Sequence, residues 1–501
     1  MYASFSSEIQ IAYCSRLCYN RFNPRNSIFH SIHGKLQIKE DIIMILKVPA
    51  PLDPGFRPLE MELRAYEKDV KESGQGVPFA VLILRNQGCC DHYKMDIFPD
   101  GKDVRTVPLL DRLIKTLLWA RGGYKIITYG SKEVHAHLSA AYRAGGERAF
   151  DADFMSTVYE CPFEVEQAEK LDDALLTRSS AGSIGRHLEG CRIGFDAGGS
   201  DRKVSAVIDG EAVYSEEVVW FPKTTSDPQY HYDGILSAMK SAAAHMPRVD
   251  AIGVSSAGVY IDNKVMVASL FLKLSKEDFQ KHAKTMYIDV AKEIGAPLEV
   301  ANDGDVTALA GAMELGVGNV LGIAMGTSEA GGYVDKDMNI TGWLNELAFA
   351  PVDANPASMV DEWSGDWGCG VKYFSQDGVI KLAPAAGIHL DENLSPAEKL
   401  KVVQKEMAAG NPEAAKIYES IGVYFGYSLA WYSRFYTIDH VLIMGRVTSG
   451  EGGPILLKKA QEVLDTEFPE LAARMQLHIP DEASRRVGQS VAAASLPDIG
   501  K

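Results

Sequence analysis

The sequence predicts an α/β protein. Apolar runs of strand length alternate with segments of helical periodicity in both halves of the chain, the pattern that layered sheets and helices produce. Three glycine-bearing turns follow directly on such apolar runs. A stretch of weak pattern over 167–190, containing Ser179-Ser180-Ala-Gly-Ser183, has the composition of a linker between the halves.

In the N-terminal half, residues 79–84 and 92–98 predict strands, with Pro99-Asp100-Gly101 as a turn. Leu110, Leu113, Ile114, Leu117 and Leu118 recur at helical spacing, Gly122-Gly123 ends that helix, and 124–129 is a further strand. Residues 1–60 are punctuated by Pro49-Ala-Pro51 and Asp53-Pro54-Gly55 and predict loops and poor order. In the C-terminal half, 192–195, 203–208 and 212–219 predict a meander, the last two joined by Asp209-Gly210, a strong hairpin signal. Strands follow at 251–255, 298–301, 320–325 and 441–444, and helices at 232–244, from about Val306, and along the stripe Ile417, Ile421, Tyr424, Phe425, Leu429.

A chain of 501 residues has room for two or three domains with large cores. The hydrophobic content is 46% and the charged content 24%, ordinary for a globular protein. A formal net charge of -16 disfavours non-specific nucleic-acid binding, because a phosphate backbone repels an acidic surface. The seven cysteines are odd in number and scattered, which predicts reduced thiols, and Cys14 with Cys18 alone makes no zinc site. The first residues carry no basic stretch before an apolar core, and the run 42–46 is too short to span a membrane. The expectation is a cytoplasmic protein with neither membrane nor nucleic-acid partner.

The chemistry concentrates in four places. The turns Asp196-Ala-Gly-Gly-Ser200, Gly326-Thr-Ser-Glu-Ala-Gly-Gly332 and Gly445-Arg-Val-Thr-Ser-Gly450 can bring backbone N–H groups close to an anion. The carboxylate of the first turn can hold Mg²⁺, usually through water. Between the first two turns, Asn302-Asp303-Gly304 stands at a strand–helix junction. Asp305 is placed to cap the following helix, which leaves Asp303 free, and a helix N-terminus would keep it ionised to accept a proton from a hydroxyl.

These residues resemble the ROK family of sugar kinases and sugar-sensing regulators, within the wider acetate-and-sugar-kinase, chaperone and actin superfamily. Residues 196–200 resemble its first phosphate turn, 252–258 its Gly-x-Pro-Gly region with Ala257 in place of proline, and 301–303 its Glu-Asn-Asp motif. Residues 325–333 resemble its second phosphate turn, and 444–449 its adenosine-side turn. The five motifs stand in the family's order over about 190–500. The resemblance implies two ribonuclease-H-like lobes of the actin/sugar-kinase type, with an interlobe cleft that holds ATP and a sugar. Lobe I would be 186–304, completed by about 475–501, and lobe II 305–474, with 1–185 as an N-terminal α+β accessory domain. By the same resemblance Asp303 is the catalytic base, Asn302 and Glu346 bind the sugar, and Asp196 holds Mg²⁺. Gly198, Gly199, Ser200, Gly326 and Thr327 would face the phosphates, and Gly445 the adenosine.

Two departures bear on the acceptor. In Asn345-Glu-Leu-Ala-Phe349 the glutamate of the family's sugar-binding segment is kept, but Phe349 replaces its histidine. In 365–371 only Cys369 remains of the family's zinc-binding cysteines, so no zinc is expected, and Val371 falls where a glutamate contacts the sugar. Each unpaired buried hydroxyl costs about 1–3 kcal/mol, which argues against glucose in the usual pose. Trp363 and Trp367 could stack on a sugar but read better as packing residues. His135 and His137 read as surface or packing residues rather than metal ligands.

The N-terminal region lacks a winged-helix pattern. Its strand–strand–helix–strand order echoes the start of the kinase fold, with Asn86-Gln-Gly88 where a phosphate turn belongs, but an unrelated α+β module fits better. The expected function is ATP-dependent phosphoryl transfer to a hydroxyl of a sugar or sugar-like molecule. The alternative is a non-catalytic nucleotide- or sugar-binding sensor or scaffold, and a further one an acetate-kinase-like enzyme or activator ATPase. A homodimer is left open.

Overall fold

In the computed structural model, residues 45–179, 184–480 and 482–500 are described, 482–487 by backbone only. The expectations for residues 1–44, including Cys14 and Cys18, and for 180–183 of the linker lie outside the described residues. Within 45–60 the chain turns at 51–55 and enters a helix, Leu59–Ser73.

The N-terminal sheet consists of β1 (Val77–Leu84), β2 (Cys90–Ile97), β3 (Lys125–Tyr129) and β4 (Glu164–Gln167), in the order β2-β1-β3-β4. β3 runs antiparallel to β1. In the sheet that follows, the strand after the meander runs parallel to the first, so the two sheets differ in topology. The expected linker is partly structured: after β4, a 3-10 turn over Leu171–Ala174 leads to Arg178, whose backbone exchanges two hydrogen bonds with Cys90.

The second sheet contains β5 (Cys191–Ala197), β6 (Asp201–Ile208), β7 (Glu211–Val219), β8 (Ala251–Ser256) and β11 (Leu298–Asn302), in the order β11-β8-β5-β6-β7. A small hairpin of β9 (Val259–Ile261) and β10 (Lys264–Val267) stands beside it. β5, β6 and β7 form the antiparallel meander, with Asp209 (φ 48°) and Gly210 (φ 89°) supplying the two positive angles that a tight hairpin turn requires. β8 is parallel to β5, and β11 to β8. The remaining sheet, β12 (Val320–Met325), β13 (Glu329–Val334), β14 (His440–Met444) and β15 (Gln476–His478), has the order β13-β12-β14-β15. It repeats the pattern: an antiparallel hairpin, then two parallel strands on the other side of its first strand.

The C-terminal segment divides differently from the expected boundary near 475. β15 pairs with β14, whose backbone groups on that side need partners. The following helix, Glu482–Ala494, returns to the second sheet, and Arg192 of β5 donates to Pro497 O (2.8 Å) just beyond it. In that sheet Gly194 and Gly253 admit the helix: a Cβ on either would fall within 1.8 Å of the carbonyl oxygen of Ser490 or Ala493.

The helix Thr106–Arg121 is buried around most of its circumference, its polar Asp111, Arg112, Lys115 and Arg121 included, so it must be enclosed. It is, because residues of the N-terminal module and of 320–475 form one continuous core. Tyr66, Leu113 and Trp119 belong to the same buried cluster as Ile323, Tyr373 and Tyr424. Arg434, after the helix Pro412–Tyr432, reinforces this junction through Glu60 and Glu67. Among the described residues no helix is long and apolar enough to cross a membrane.

Candidate functional site

The parallel register of β5, β8 and β11 sets Asp196 opposite Ser255 and Asn302 opposite Ser256. Asp196 and Asp303 therefore emerge at one sheet edge two strands apart, about 10 Å at 4.8 Å per strand spacing. Asp196 is buried, and its Oδ1 accepts from Ser255 Oγ (2.7 Å) and Gln489 Nε2 (3.2 Å). Burial pushes its carboxyl up to about 6; the Ser255 bond opposes this and the charge of Asp303 adds to it.

The helix beginning here is Asp303–Leu315, and its cap is Asn302, not Asp305. Asn302 Oδ1 accepts from Gly304 N–H (2.7 Å) and its Nδ2 donates to Gly258 O (2.8 Å), so its amide braces the strand–helix junction. Asp303 is thus the first helical residue. Burial raises its carboxyl above the ordinary range, against the N–H groups of Gly304 and of Asp303 itself and the Lys223 ammonium. The sequence reading expects the helix N-terminus to keep this carboxyl ionised; burial acts against those N–H groups and shifts it upward.

Asp305 is a strut. Its Oδ1 accepts from Tyr333 N–H (3.0 Å) and Asn345 Nδ2 (2.8 Å), and burial pushes it up to about 7. Asn345 Oδ1 accepts from Tyr436 Oη–H (2.9 Å). The next residue, Glu346, is half-buried, and burial, then the charges of Asp303 and Asp305, push it up to about 8. Asp303 and Glu346 thus stand within electrostatic reach of each other. Their support comes from the N-terminal module: N–H groups of Leu344, Asn345 and Glu346 donate to the carbonyls of Arg121, Ala120 and Trp119 at the C-terminus of the buried helix.

The first glycine turn joins β5 to β6, and the second joins β12 to β13, at equivalent places in their sheets. Gly326 N–H donates to Ser328 O (2.9 Å), and Thr327 is exposed. Gly445 ends β14 at φ 101°, and a Cβ there would stand 2.4 Å from Met325 O, so the third turn lies against the second. The Asp303 helix meets β13 through facing glycines: a Cβ on Gly304 would lie 2.4 Å from Gly331 O. At the first turn, a Cβ on Gly199 would lie 2.7 Å from Lys223 Nζ.

The positions that depart from the ROK pattern are occupied by packing. Phe349 joins Trp119 (ring centroids 4.5 Å apart), Phe150 and Phe154. Asp366 is buried and receives Arg112 Nη1 (2.6 Å), Lys115 Nζ (2.7 Å) and Arg148 Nη1 (3.0 Å). Burial works to raise its carboxyl, but those three cations hold it well below the usual range. Cys369 lies 4.0 Å from Lys115 Nζ, its thiol pushed up to about 12 by burial. Trp367 lies beneath the Arg112 guanidinium at 3.7 Å, and Trp363 packs on the main core. His137 Nε2 pairs with Asp111 Oδ1 (3.1 Å), and His135 neighbours Thr128 and Ser139.

Sequence reasoning missed Ser255, Gln489, Asn345, Lys223 and Glu329. Small polar residues closing the apolar run of β8 were the signal for Ser255. Glu329, at the start of β13, is buried with neither carboxyl oxygen hydrogen-bonded among the described residues; burial and then Glu346 raise its carboxyl well above the usual range.

No protein-family model and no curated protein matches the chain. Solved structures do. A ROK family glucokinase from Streptomyces griseus, in complex with glucose and AMPPNP, is 20% identical, with 60% of this chain and 98% of that one covered and a TM-score of 0.45. A ROK hexokinase from Thermus thermophilus is 16% identical, covering 60% and 97%, with a TM-score of 0.47. A ROK family transcriptional regulator, a homologue of the E. coli MLC protein, is 16% identical, covering 62% and 79%, with a TM-score of 0.46.

Proposed function

We propose that this protein is a ROK-type kinase that transfers the γ-phosphoryl group of ATP to a hydroxyl of a sugar or sugar-like molecule. The observation that carries the reading is the placement of Asp196 and Asp303 at one sheet edge, at the carboxyl ends of the parallel strands β5 and β11 with β8 between them, where the charge of Asp303 raises Asp196. The acceptor oxygen attacks the γ-phosphorus, ADP leaves, and the hydroxyl proton passes to Asp303. A base whose proton affinity lies nearer neutrality serves this better than an ordinary carboxylate. Glu346 accepts hydrogen bonds from other hydroxyls of the acceptor, and Asn302 holds the Asp303 helix in place. Gly198, Gly199, Ser200, Gly326 and Thr327 present backbone to the phosphates, and Gly445 borders the adenosine, in a cleft between two lobes. Asp196 suits a hydrated Mg²⁺, since a buried carboxylate raised by a second carboxylate is a deficit that a cation offsets. When bound, Mg²⁺ neutralises phosphate charge.

The test is ADP formation from ATP and Mg²⁺ across a panel of sugars, amino sugars and polyols. Acceptor-dependent ADP is expected. A second reading, a nucleotide-binding sensor, draws on Phe349, whose aromatic packing leaves no polar group at a family sugar contact. Nucleotide-induced stabilisation with no turnover on any acceptor would favour it, and the absence of nucleotide binding would defeat both.

Glu346→Gln tests the acceptor role by a pH signature. Burial pushes Glu346 up to about 8 in the native state, whereas in the unfolded chain it loses its proton near the ordinary 4.5. Stability at this group therefore falls as pH rises between those values. The glutamine variant is expected to melt above the parent at pH 8 and close to it at pH 5, while the KM for the acceptor rises at both.

A further inference from the structure

Lys223 stands outside every motif of the sequence. It lies in a 3-10 turn, Pro222–Thr224, directly after β7. The turn is anchored: the buried His231 imidazole approaches Pro222 O (3.0 Å) and Leu270 O (3.2 Å) through Nε2, Thr224 Oγ1 donates to Phe221 O (2.9 Å), and Phe221 N–H donates to Tyr230 Oη (3.2 Å). From this base the exposed lysine lies over the first glycine turn. A Cβ on Gly199 would stand 2.6 Å from its Cε and 2.7 Å from its Nζ, so the end of the lysine lies directly against the turn. It makes no hydrogen bond or ion pair among the described residues, whereas nearby Lys203 is paired with Asp201 (3.5 Å). Its charge acts on Asp303.

The surroundings give such a cation a task. Asp196, Asp303, Asp305 and Glu346 are all carboxyls, and a nucleotide's phosphates add more negative charge. An unpaired ammonium beside the glycine turn, with its charge reaching the Asp303 carboxyl, is a counter-charge at hand, and Lys can act as a point charge for phosphate. We propose that Lys223 is a phosphate-binding catalytic residue, its ammonium contacting the nucleotide's terminal phosphates over Gly199 beside Asp303. This rests on the kinase reading and adds to it the group that offsets the carboxylates during transfer.

The experiment uses the full chain with Lys223→Met and Lys223→Arg, and measures ATP, ADP and adenosine binding beside ATP turnover. Lys223→Met is expected to melt with the parent when unliganded, since the side chain is exposed. It should lose about 10²-fold or more in kcat/KM for ATP, as removal of one preorganised donor does elsewhere. ATP binding should weaken more than ADP binding, adenosine binding should be unchanged, and Lys223→Arg should recover part of the loss. Parent-like ATP binding and turnover in Lys223→Met would overturn the role of Lys223 and leave the kinase reading standing. Equal weakening of adenosine and ATP binding would overturn it as well, since a phosphate contact is blind to adenosine. A parent protein that binds no nucleotide would remove the kinase reading itself.

Discussion

Asp303→Asn is expected to lower phosphoryl transfer by about 10²–10⁴-fold, the contribution of a positioned general base, with ATP affinity close to that of the parent. The reason lies in what the side chain does. Its Oδ1 accepts from the Gly304 N–H at 3.0 Å, and an asparagine carbonyl can accept the same bond. The substitution removes a charge that Asp196, Asp305 and Glu346 all oppose, so the fold gains at alkaline pH rather than losing. Loss of turnover would then report lost chemistry and not unfolding. The parent's activity should fall on acidification through a pKa above the ordinary carboxylate range, because burial raises Asp303 and a protonated carboxyl cannot take the acceptor's proton. Steady-state rates between pH 5 and 9, nucleotide affinity and melting temperature decide the matter. A variant within a few-fold of parent turnover would exclude Asp303 as the base.

Asp366→Asn is expected to destabilise the protein by about 3–5 kcal/mol, the cost of removing one partner from a buried ionic cluster. Arg112, Lys115 and Arg148 converge on this carboxylate, and Lys115 is fully enclosed. Asp111 and Asp151 remain to share the cations, but the carboxyl oxygens of Asp151 already lack hydrogen bonds. The sign with pH follows from the depressed carboxyl of Asp366. Its stabilisation is present above the unfolded value near 3.8 and disappears as pH falls through the lower folded value, so parent and variant should converge in strong acid. Denaturant titration followed by tryptophan fluorescence reads this directly, because Trp367 lies under Arg112. Unchanged stability at pH 7 would mean that the cluster contributes nothing. The same substitution should raise the KM for the acceptor, since the helix bearing Arg112 and Lys115 also carries the carbonyls that hold Glu346.

Those two residues differ in how far they can be read. Asp303 was legible because its signal is local: an apolar run ends at Asn302, and a helix pattern begins within a few residues. Even there the cap was misassigned to Asp305, since Asn, Asp and a second Asp stand close together and all can cap. Asp305 turned out to be spoken for by Tyr333 and Asn345, the latter 40 residues away. Asp366 was visible only as an acid between tryptophans, because its partners lie more than 200 residues earlier in the chain. Lys223 carries no pattern at all: it becomes informative only when β7 and the first glycine turn are brought side by side.

The sequence by itself determined the alternation of strands and helices, the Asp209-Gly210 hairpin, the glycine turns and the two aspartates at strand ends. These depend on periodicity and on backbone angles that only certain residues adopt, which are written within a few residues of each other. Tertiary structure alone decided that the N-terminal module shares a core with the last sheet, that carbonyls of its helix hold the backbone of Glu346, and which charges meet in the interior. Such pairings depend on burial, which removes water's screening and makes contacts between distant segments strong enough to matter.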